Sequence, residues 1–327
     1  MTLVQEAKGW LGQQLNGVAF NIDIVGWCSL HCGSCAVGSI GGKRGGKYMS
    51  LDLWNRILDK AQSECKVRKI QMYAYSDACL HPDCDKFVAE ATKRGIPTLL
   101  STMLQGTRCD FEKVIEARPA EFRISFPGFN KMEYYQAGAK VERFKEKFAE
   151  VVNLPRHKET VWSLVFHLYN DNSDEIPMVR EMAEKYNLKL VILPAIFMPC
   201  EKVVEKNYSE KDKEIISHLL ETPEESIARM DKTDYCMMWK QVSMNAEGDV
   251  FLCQIVFEQR FKLMNFLDHP LSEIQKTIRN HSFCGKCLKA GGNTYQECFA
   301  DIHLSKDPVG EANKKRHKTW AHEPQLA

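Results

Sequence analysis

Strand-like apolar runs and amphipathic helical stretches alternate through the first two-thirds of the chain. Val18–Val25 reads as a strand. Leu51–Cys65 reads as a helix, with Ser50 placed to accept from the free N–H groups of its first turn. Lys69–Tyr75, Pro97–Met103, Glu121–Phe126, Val161–Tyr169 and Leu188–Phe197 read as five further strands. Helices over Asp85–Arg94, Asp110–Ala117, Lys131–Val152 and Ser173–Tyr186 fall between them. Strand and helix in regular alternation predict a parallel sheet with helices outside it and right-handed connections. Six strands are too few to close an eight-stranded barrel, so the predicted fold is α/β, a partial (β/α)6 barrel left open on one side.

The alternation stops near residue 200. Lys202–Lys213 is charged and leads into a helix at Glu214–Glu221. Beyond Asp234 a short hairpin, Gln241–Ala246 and Asp249–Gln254, turns at Glu247-Gly248. It precedes a helix at Leu271–Ile278 and a cysteine-rich stretch. The predicted divisions are an N-terminal extension over 1–17, a barrel core over 18–200, a helical linker over 201–233, a small domain over 234–305, and a polar tail over 306–327.

Hydrophobic residues make up 44% of the 327, enough for a sizeable core. The formal net charge of +1 argues against a protein built to coat nucleic acid, and no nucleic-acid partner is expected. The first residues lack the basic-then-apolar order of an export signal. No apolar run is long enough to span a bilayer. The expectation is a cytoplasmic protein with no membrane partner. Thirteen cysteines are many for such a chain. Their number is odd and the chain is too large to need disulfide staples, so clustered thiols point to metal.

Cys28, Cys32 and Cys35 form Cys-x3-Cys-x2-Cys directly after the first predicted strand. Three thiolates on one tight loop can hold three irons of a 4Fe–4S cube and leave the fourth open to a substrate or cofactor. The loop sits at the C-terminal end of that strand, where parallel α/β folds place their active sites. A second set comprises Cys236, Cys253, Cys284 and Cys287. Cys236 and Cys253 bracket the hairpin, and Cys284-Gly285-Lys286-Cys287 forms a knuckle. Four such thiolates suit a tetrahedral zinc or a fully ligated iron–sulfur cluster. The iron–sulfur loop in the same chain favours a second cluster. Cys298 is an orphan: a substitute ligand, a redox thiol, or a buried small hydrophobe.

Other motifs carry less. Gly41-Gly42-Lys43-Arg44-Gly45-Gly46-Lys47-Tyr48 nearly spells a phosphate loop, but Tyr48 replaces the required hydroxyl residue, so a basic loop over the site mouth is the better reading. His31 reads as a surface or supporting residue of the cysteine loop. Tyr73 and Tyr75 share one face of the second strand and are candidate cavity residues, as is His167 on the fifth; core packing is the alternative for each. Lys314-Lys315-Arg316-His317-Lys318 reads as a solvated basic tail.

The Cys28/Cys32/Cys35 motif resembles the signature of the radical S-adenosylmethionine superfamily, and the cysteines that follow resemble its SPASM or twitch extension. The resemblance runs over residues 18–300. It implies a TIM-like partial barrel with a small C-terminal iron–sulfur domain, S-adenosylmethionine as cofactor, and two 4Fe–4S clusters, one binding that cofactor and one auxiliary. Tyr75-Ser76-Asp77-Ala78-Cys79-Leu80-His81-Pro82-Asp83 stands where the family has a Gly-Gly-Glu-Pro-like stretch, which makes Ser76 and Asp77 candidates for the methionine end. Thr102 ends the third strand at a family contact position. Ser125, in Ile124-Ser125-Phe126-Pro127-Gly128, matches a ribose or carboxylate contact. Asn170 and Leu193 stand where ribose and adenine are commonly touched. Ser34 takes a place that is often aromatic.

Four cysteines in place of a full SPASM set resemble the abbreviated twitch pattern, with one auxiliary cluster suited to electron traffic. The implied function is reductive cleavage of S-adenosylmethionine and hydrogen abstraction from a small-molecule, sugar or nucleotide substrate, with possible oxidation through the auxiliary cluster. That is an oxidoreductase or transferase-type biosynthetic enzyme, with a flavodoxin or ferredoxin as electron donor. The alternative is a maturase that modifies a ribosomally made peptide by thioether formation, carbon–carbon crosslinking or epimerisation. Such enzymes often carry a leader-binding domain, and residues 1–17 are too few for one. A non-catalytic iron–sulfur or zinc protein is the alternative of another class.

Overall fold

In the computed structural model, β4 (Glu121–Phe126) shows how the sheet sorts its residues. Phe122, Ile124 and Phe126 are fully buried on one face, and Glu121, Arg123 and Ser125 take the other. Phe126 stacks on Phe144 of the helix Val141–Val152, with ring centres 4.7 Å apart. The apolar face is therefore the helix-covered one. β5 (Val161–Leu168) repeats the pattern: Trp162, Leu164, Phe166 and Leu168 pack outward, while Ser163, Val165 and His167 turn inward. Burial of each large side chain contributes roughly 1.5–3 kcal/mol. On these two strands the inner face is mostly polar.

The structure describes residues 17–41, 46, 48–230 and 233–295. The remaining strands are β1 (Val18–Ile22), β2 (Val67–Gln71), β3 (Thr98–Thr102), β6 (Lys189–Pro194), β7 (Gln241–Met244), β8 (Asp249–Phe251) and β9 (Lys262–Asn265). They form one sheet ordered β6-β5-β4-β3-β2-β1-β7-β8-β9. Every pairing from β6 to β7 is parallel. The last two pairings, β7–β8 and β8–β9, are antiparallel. Parallel β1–β6 with helices between them are the predicted α/β partial barrel. β7 docks on β1 with Asn21 opposite Ser243, so the hairpin continues the barrel wall.

The helix Leu51–Glu64 starts as expected. Ser50 accepts from Leu53 N at 3.1 Å, and Trp54, Ile57, Leu58 and Ala61 form its buried stripe. Elsewhere the boundaries move for physical reasons. Lys131–Val152 is two helices, Met132–Tyr135 and Val141–Val152, because Gly138 at φ +97° turns the chain between them. β6 stops at Pro194, whose ring nitrogen cannot donate, and not at Phe197. The linker helix spans Glu210–Ser217 in place of Glu214–Glu221, because Ser209 and Asp212 form a reciprocal cap at its start. The Cys284–Cys287 pair lies on a helix, Ser282–Ala290, and not in a knuckle turn. No helix among the described residues is long and apolar enough to cross a membrane.

Candidate functional site

The first cysteine loop leaves β1 and is held from several sides. Ser29 Oγ donates to Gln105 O at 2.8 Å, His31 N to Ala137 O at 2.8 Å, and Met198 N to Ser34 O at 2.8 Å. Within the loop, Cys35 N donates to Cys32 O at 3.0 Å, and Leu30 N points at Cys28 Sγ at 3.5 Å. Cys35 then starts the short helix Ala36–Ser39. A side chain at Gly38 would place its Cβ 2.1 Å from the Cys32 carbonyl oxygen, so only glycine permits this close turn. His31 is exposed.

Burial dominates the chemistry of the three thiols. It pushes Cys28 up to about 12 and Cys35 to about 11, and it raises Cys32 as well. Repulsion from Cys35 adds to the rise at Cys28 and at Cys32. Three thiols on one loop match in number and kind the donors that an iron–sulfur cube with one open iron would take. Bound iron would supply the positive charge that lets them ionise.

Around this loop stand the ends of the parallel strands. Tyr75 meets Phe257 edge-on, ring centres 5.1 Å apart, in a small apolar cluster with Ala36 and Val37 that touches Cys28 and Cys35. Ser34 Oγ lies 3.2 Å from Tyr169 OH, and Tyr169 stacks on Tyr135 at 3.6 Å. Ser125 Oγ and His167 Nε2 share a 2.7 Å hydrogen bond. Burial drives His167 down to about 4, so its imidazole is neutral near pH 7. Leu193 pairs with His167 in the β5–β6 register. Arg123 lies over the Tyr73 ring at 5.4 Å and pairs with Glu121 at 2.8 Å, placing both charges on the inner wall.

Asp77, Thr102, Asn170 and Ser76 are bonded within the chain itself. Asp77 accepts from Thr102 Oγ1 at 2.6 Å, Cys79 N at 2.9 Å and Met103 N at 3.2 Å, so it ties the loop after β2 to the end of β3. Burial holds its carboxyl up at about 6. Asn170 turns away from the barrel, donating through Nδ2 to Ser217 O and through its backbone N to His218 O. Ser76 Oγ donates to Asp23 Oδ1 at 3.2 Å. Asp23 is a residue the sequence reading did not single out. Its carboxylate also accepts from Ala74 N and Tyr75 N and shapes the loop.

The second set also gathers. Burial, then the nearby sulfurs of Cys287, Cys236 and Cys284, raise the Cys253 thiol. Cys236 precedes the turn Met237–Lys240, and Cys253 follows β8. The β7–β8 turn between them needs Gly248 at φ +76°. Cys200, unmarked in the sequence reading, joins them: its Sγ lies 3.9 Å from Cys287 Sγ. Among the described residues no three His, Cys, Asp or Glu side chains are closed round one point as for a single metal ion. Cys298, most of the glycine-rich stretch at 41–48 and the basic cluster at 314–318 lie outside the described residues.

No protein-family model matches the chain, and no curated protein does. Solved structures do match. SuiB of Streptococcus suis bound to precursor peptide SuiA superposes with a TM-score of 0.55 at 12% identity, over 93% of this chain and 77% of that one. anSMEcpe with bound AdoMet gives 0.52 at 14% identity, over 88% and 84%. BtrN in complex with AdoMet and 2-DOIA gives 0.46 at 15% identity, over 86% and 89%. SuiB and anSMEcpe, the two that superpose above 0.5, are radical S-adenosylmethionine enzymes. The chain shares the α/β partial-barrel fold of SuiB and anSMEcpe.

Proposed function

We propose that this chain is a radical S-adenosylmethionine enzyme that abstracts hydrogen from a small-molecule, sugar or nucleotide substrate. The observation that carries the reading is the placement of Cys28, Cys32 and Cys35 together on the loop after β1, beside the ends of the other parallel strands. Those three residues would hold a 4Fe–4S cluster, and Cys236, Cys253, Cys284 and Cys287 an auxiliary one. The first cluster, once bound, would supply the electron for reductive cleavage of S-adenosylmethionine.

The chain's own residues position and seclude that chemistry. Tyr75, Ala36, Val37 and Phe257 form an apolar wall against the cysteine loop that excludes water. Neutral His167 and Ser125 offer a hydrogen-bonded hydroxyl–imidazole pair for a sugar or carboxylate group. Ser34, Ser76 and Thr102 line the neighbouring strand ends, with Leu193 as an apolar surface for a base. Arg123, Glu121 and Tyr73 give the inner wall a polar, charged surface that suits a small polar substrate more than an apolar one. The peptide reading is favoured by a different observation. SuiB was solved with a precursor peptide, and anSMEcpe with the Cp18Cys peptide.

Anaerobic reconstitution tests the proposal. The expected result is about eight irons per chain, with 5′-deoxyadenosine released from S-adenosylmethionine under a flavodoxin, ferredoxin or chemical reductant. Cys32→Ala is expected to abolish that release. A chain that binds about one zinc and leaves the cofactor intact would sink the reading, as would undiminished cleavage by the variant.

A further inference from the structure

Cys200 opens the helix Cys200–Glu205, directly after Pro199 and beyond the end of β6. Its side chain is fully buried. Three observations fix it against the second cysteine set. Its Sγ lies 3.9 Å from Cys287 Sγ. Its backbone N donates to Ile255 O at 3.1 Å, two residues past Cys253. Its neighbour Glu201 accepts from Phe257 N at 2.7 Å and Glu258 N at 3.1 Å, clamping the same loop. Gly292 closes over the pair: a Cβ there would lie 2.8 Å from Cys287 Sγ and 3.3 Å from Cys200 Sγ.

We propose that Cys200 is a positioning thiol of the auxiliary site, donating an S–H hydrogen bond to the Cys287 sulfur and raising the reduction potential of the cluster that sulfur helps to hold. The proposal rests on the auxiliary-cluster reading above. Each iron of a cube takes one outward-pointing thiolate, so the ligands of one cube diverge from each other. Two sulfurs as close as Cys200 and Cys287 cannot both take terminal places on different irons. Cys287 is the ligand of the two, because it lies one turn from Cys284 on the helix Ser282–Ala290. Cys200 is left as the donor. A donor to a ligand sulfur withdraws negative charge from the cluster and favours its reduced, more negative state.

The test uses the full chain carrying Cys28→Ala, Cys32→Ala and Cys35→Ala, so that only the second set can bind a cluster. After anaerobic reconstitution with iron and sulfide, this parent is expected to hold about four irons, and Cys200→Ala and Cys200→Ser the same. Cys287→Ala is expected to lose them. In a redox titration followed by electron paramagnetic resonance, the midpoint of Cys200→Ala should move to lower potential. Cys200→Ser, whose hydroxyl still donates, should lie between it and the parent. Loss of iron from Cys200→Ala would make Cys200 a ligand and overturn the proposal. An unchanged midpoint in Cys200→Ala would overturn it as well. A parent that takes up no iron–sulfur cluster removes the auxiliary-cluster reading itself, an outcome visible before any change at Cys200 is made.

Discussion

Asp77→Asn separates the structural work of the loop after β2 from its expected place beside the cofactor. The Asp77 side chain is 2% exposed and accepts from Thr102 Oγ1, Cys79 N and Met103 N. Burial outweighs those bonds and lifts its carboxyl from 3.8 to about 6. In the window between those values the folded chain keeps a proton that the unfolded chain releases. Stability therefore falls as pH rises through the window and levels off above it. The gap corresponds to about 3 kcal/mol, at about 1.4 kcal/mol per tenfold change in proton affinity. Asparagine removes this dependence. It also turns an amide NH2 toward Met103 N, a pH-independent loss of about 1–3 kcal/mol. Urea denaturation of the reduced, iron-free chain, followed by tryptophan fluorescence from pH 4 to 7.5, reads both effects. Relative to wild type, Asp77→Asn is expected to gain about 3 kcal/mol as pH rises from 4 to 6 and then to stay level. His167→Gln supplies the opposite control. Burial lowers His167 from 6.5 to about 4, so its folded form sheds a proton the unfolded form keeps, and it adds stability as pH rises through that range. Parallel pH profiles for wild type and Asp77→Asn would refute the assignment of Asp77 as a buried, high-affinity proton site.

Glu201→Ala leaves Phe257 N and Glu258 N without their buried acceptor and is expected to cost about 2–5 kcal/mol in urea denaturation. Glu201→Gln keeps an oxygen in that place and should restore most of the loss; equal instability in both variants would contradict the clamp. Gly292→Ala puts a methyl group 2.8 Å from Cys287 Sγ. The variant is expected to fall from about eight irons to about four after reconstitution while still releasing 5′-deoxyadenosine, and a full iron load would show that the site yields to the added carbon.

The parts of this fold that are legible in sequence are those set by a local period. β4 falls at Glu121–Phe126 as expected, because polar and apolar residues alternate there without a break. The helix Leu51–Glu64 is equally plain, since its cap and its buried stripe are both local. Loops at the strand ends obey distant partners. The run Lys69–Tyr75 reads as one strand, yet β2 ends at Gln71, and Ala74 N and Tyr75 N turn to the Asp23 carboxylate some fifty residues earlier. Asn170 looks like a cofactor contact by position, and only the fold shows its amide bonded to Ser217 O. Cys200 has no cysteine at ligand spacing beside it. Its place next to Cys287 depends on the helix Ser282–Ala290 meeting the helix Cys200–Glu205, which no motif encodes.

The segment after β6 touches the loops of both thiol sets. Met198 N donates to Ser34 O in the first cysteine loop, and two residues later Cys200 N donates to Ile255 O in the loop after Cys253. The same two loops meet again through side chains. Phe257, held by Glu201, packs on Tyr75, and the apolar cluster they share touches Cys28 and Cys35. Beneath both, β7 is bonded to β1, so the strand that launches the first loop and the hairpin between Cys236 and Cys253 belong to one ladder. Close-packed contacts of this kind transmit displacement in preference to absorbing it. A shift of the Cys253 loop would therefore press on Phe257 and, through it, on Tyr75 beside Cys28 and Cys35. On the proposed function, this apolar wall would serve two purposes: it would keep water from the chemistry beside the first loop, and it would hold the two thiol sets at the fixed separation that electron transfer between two bound clusters needs.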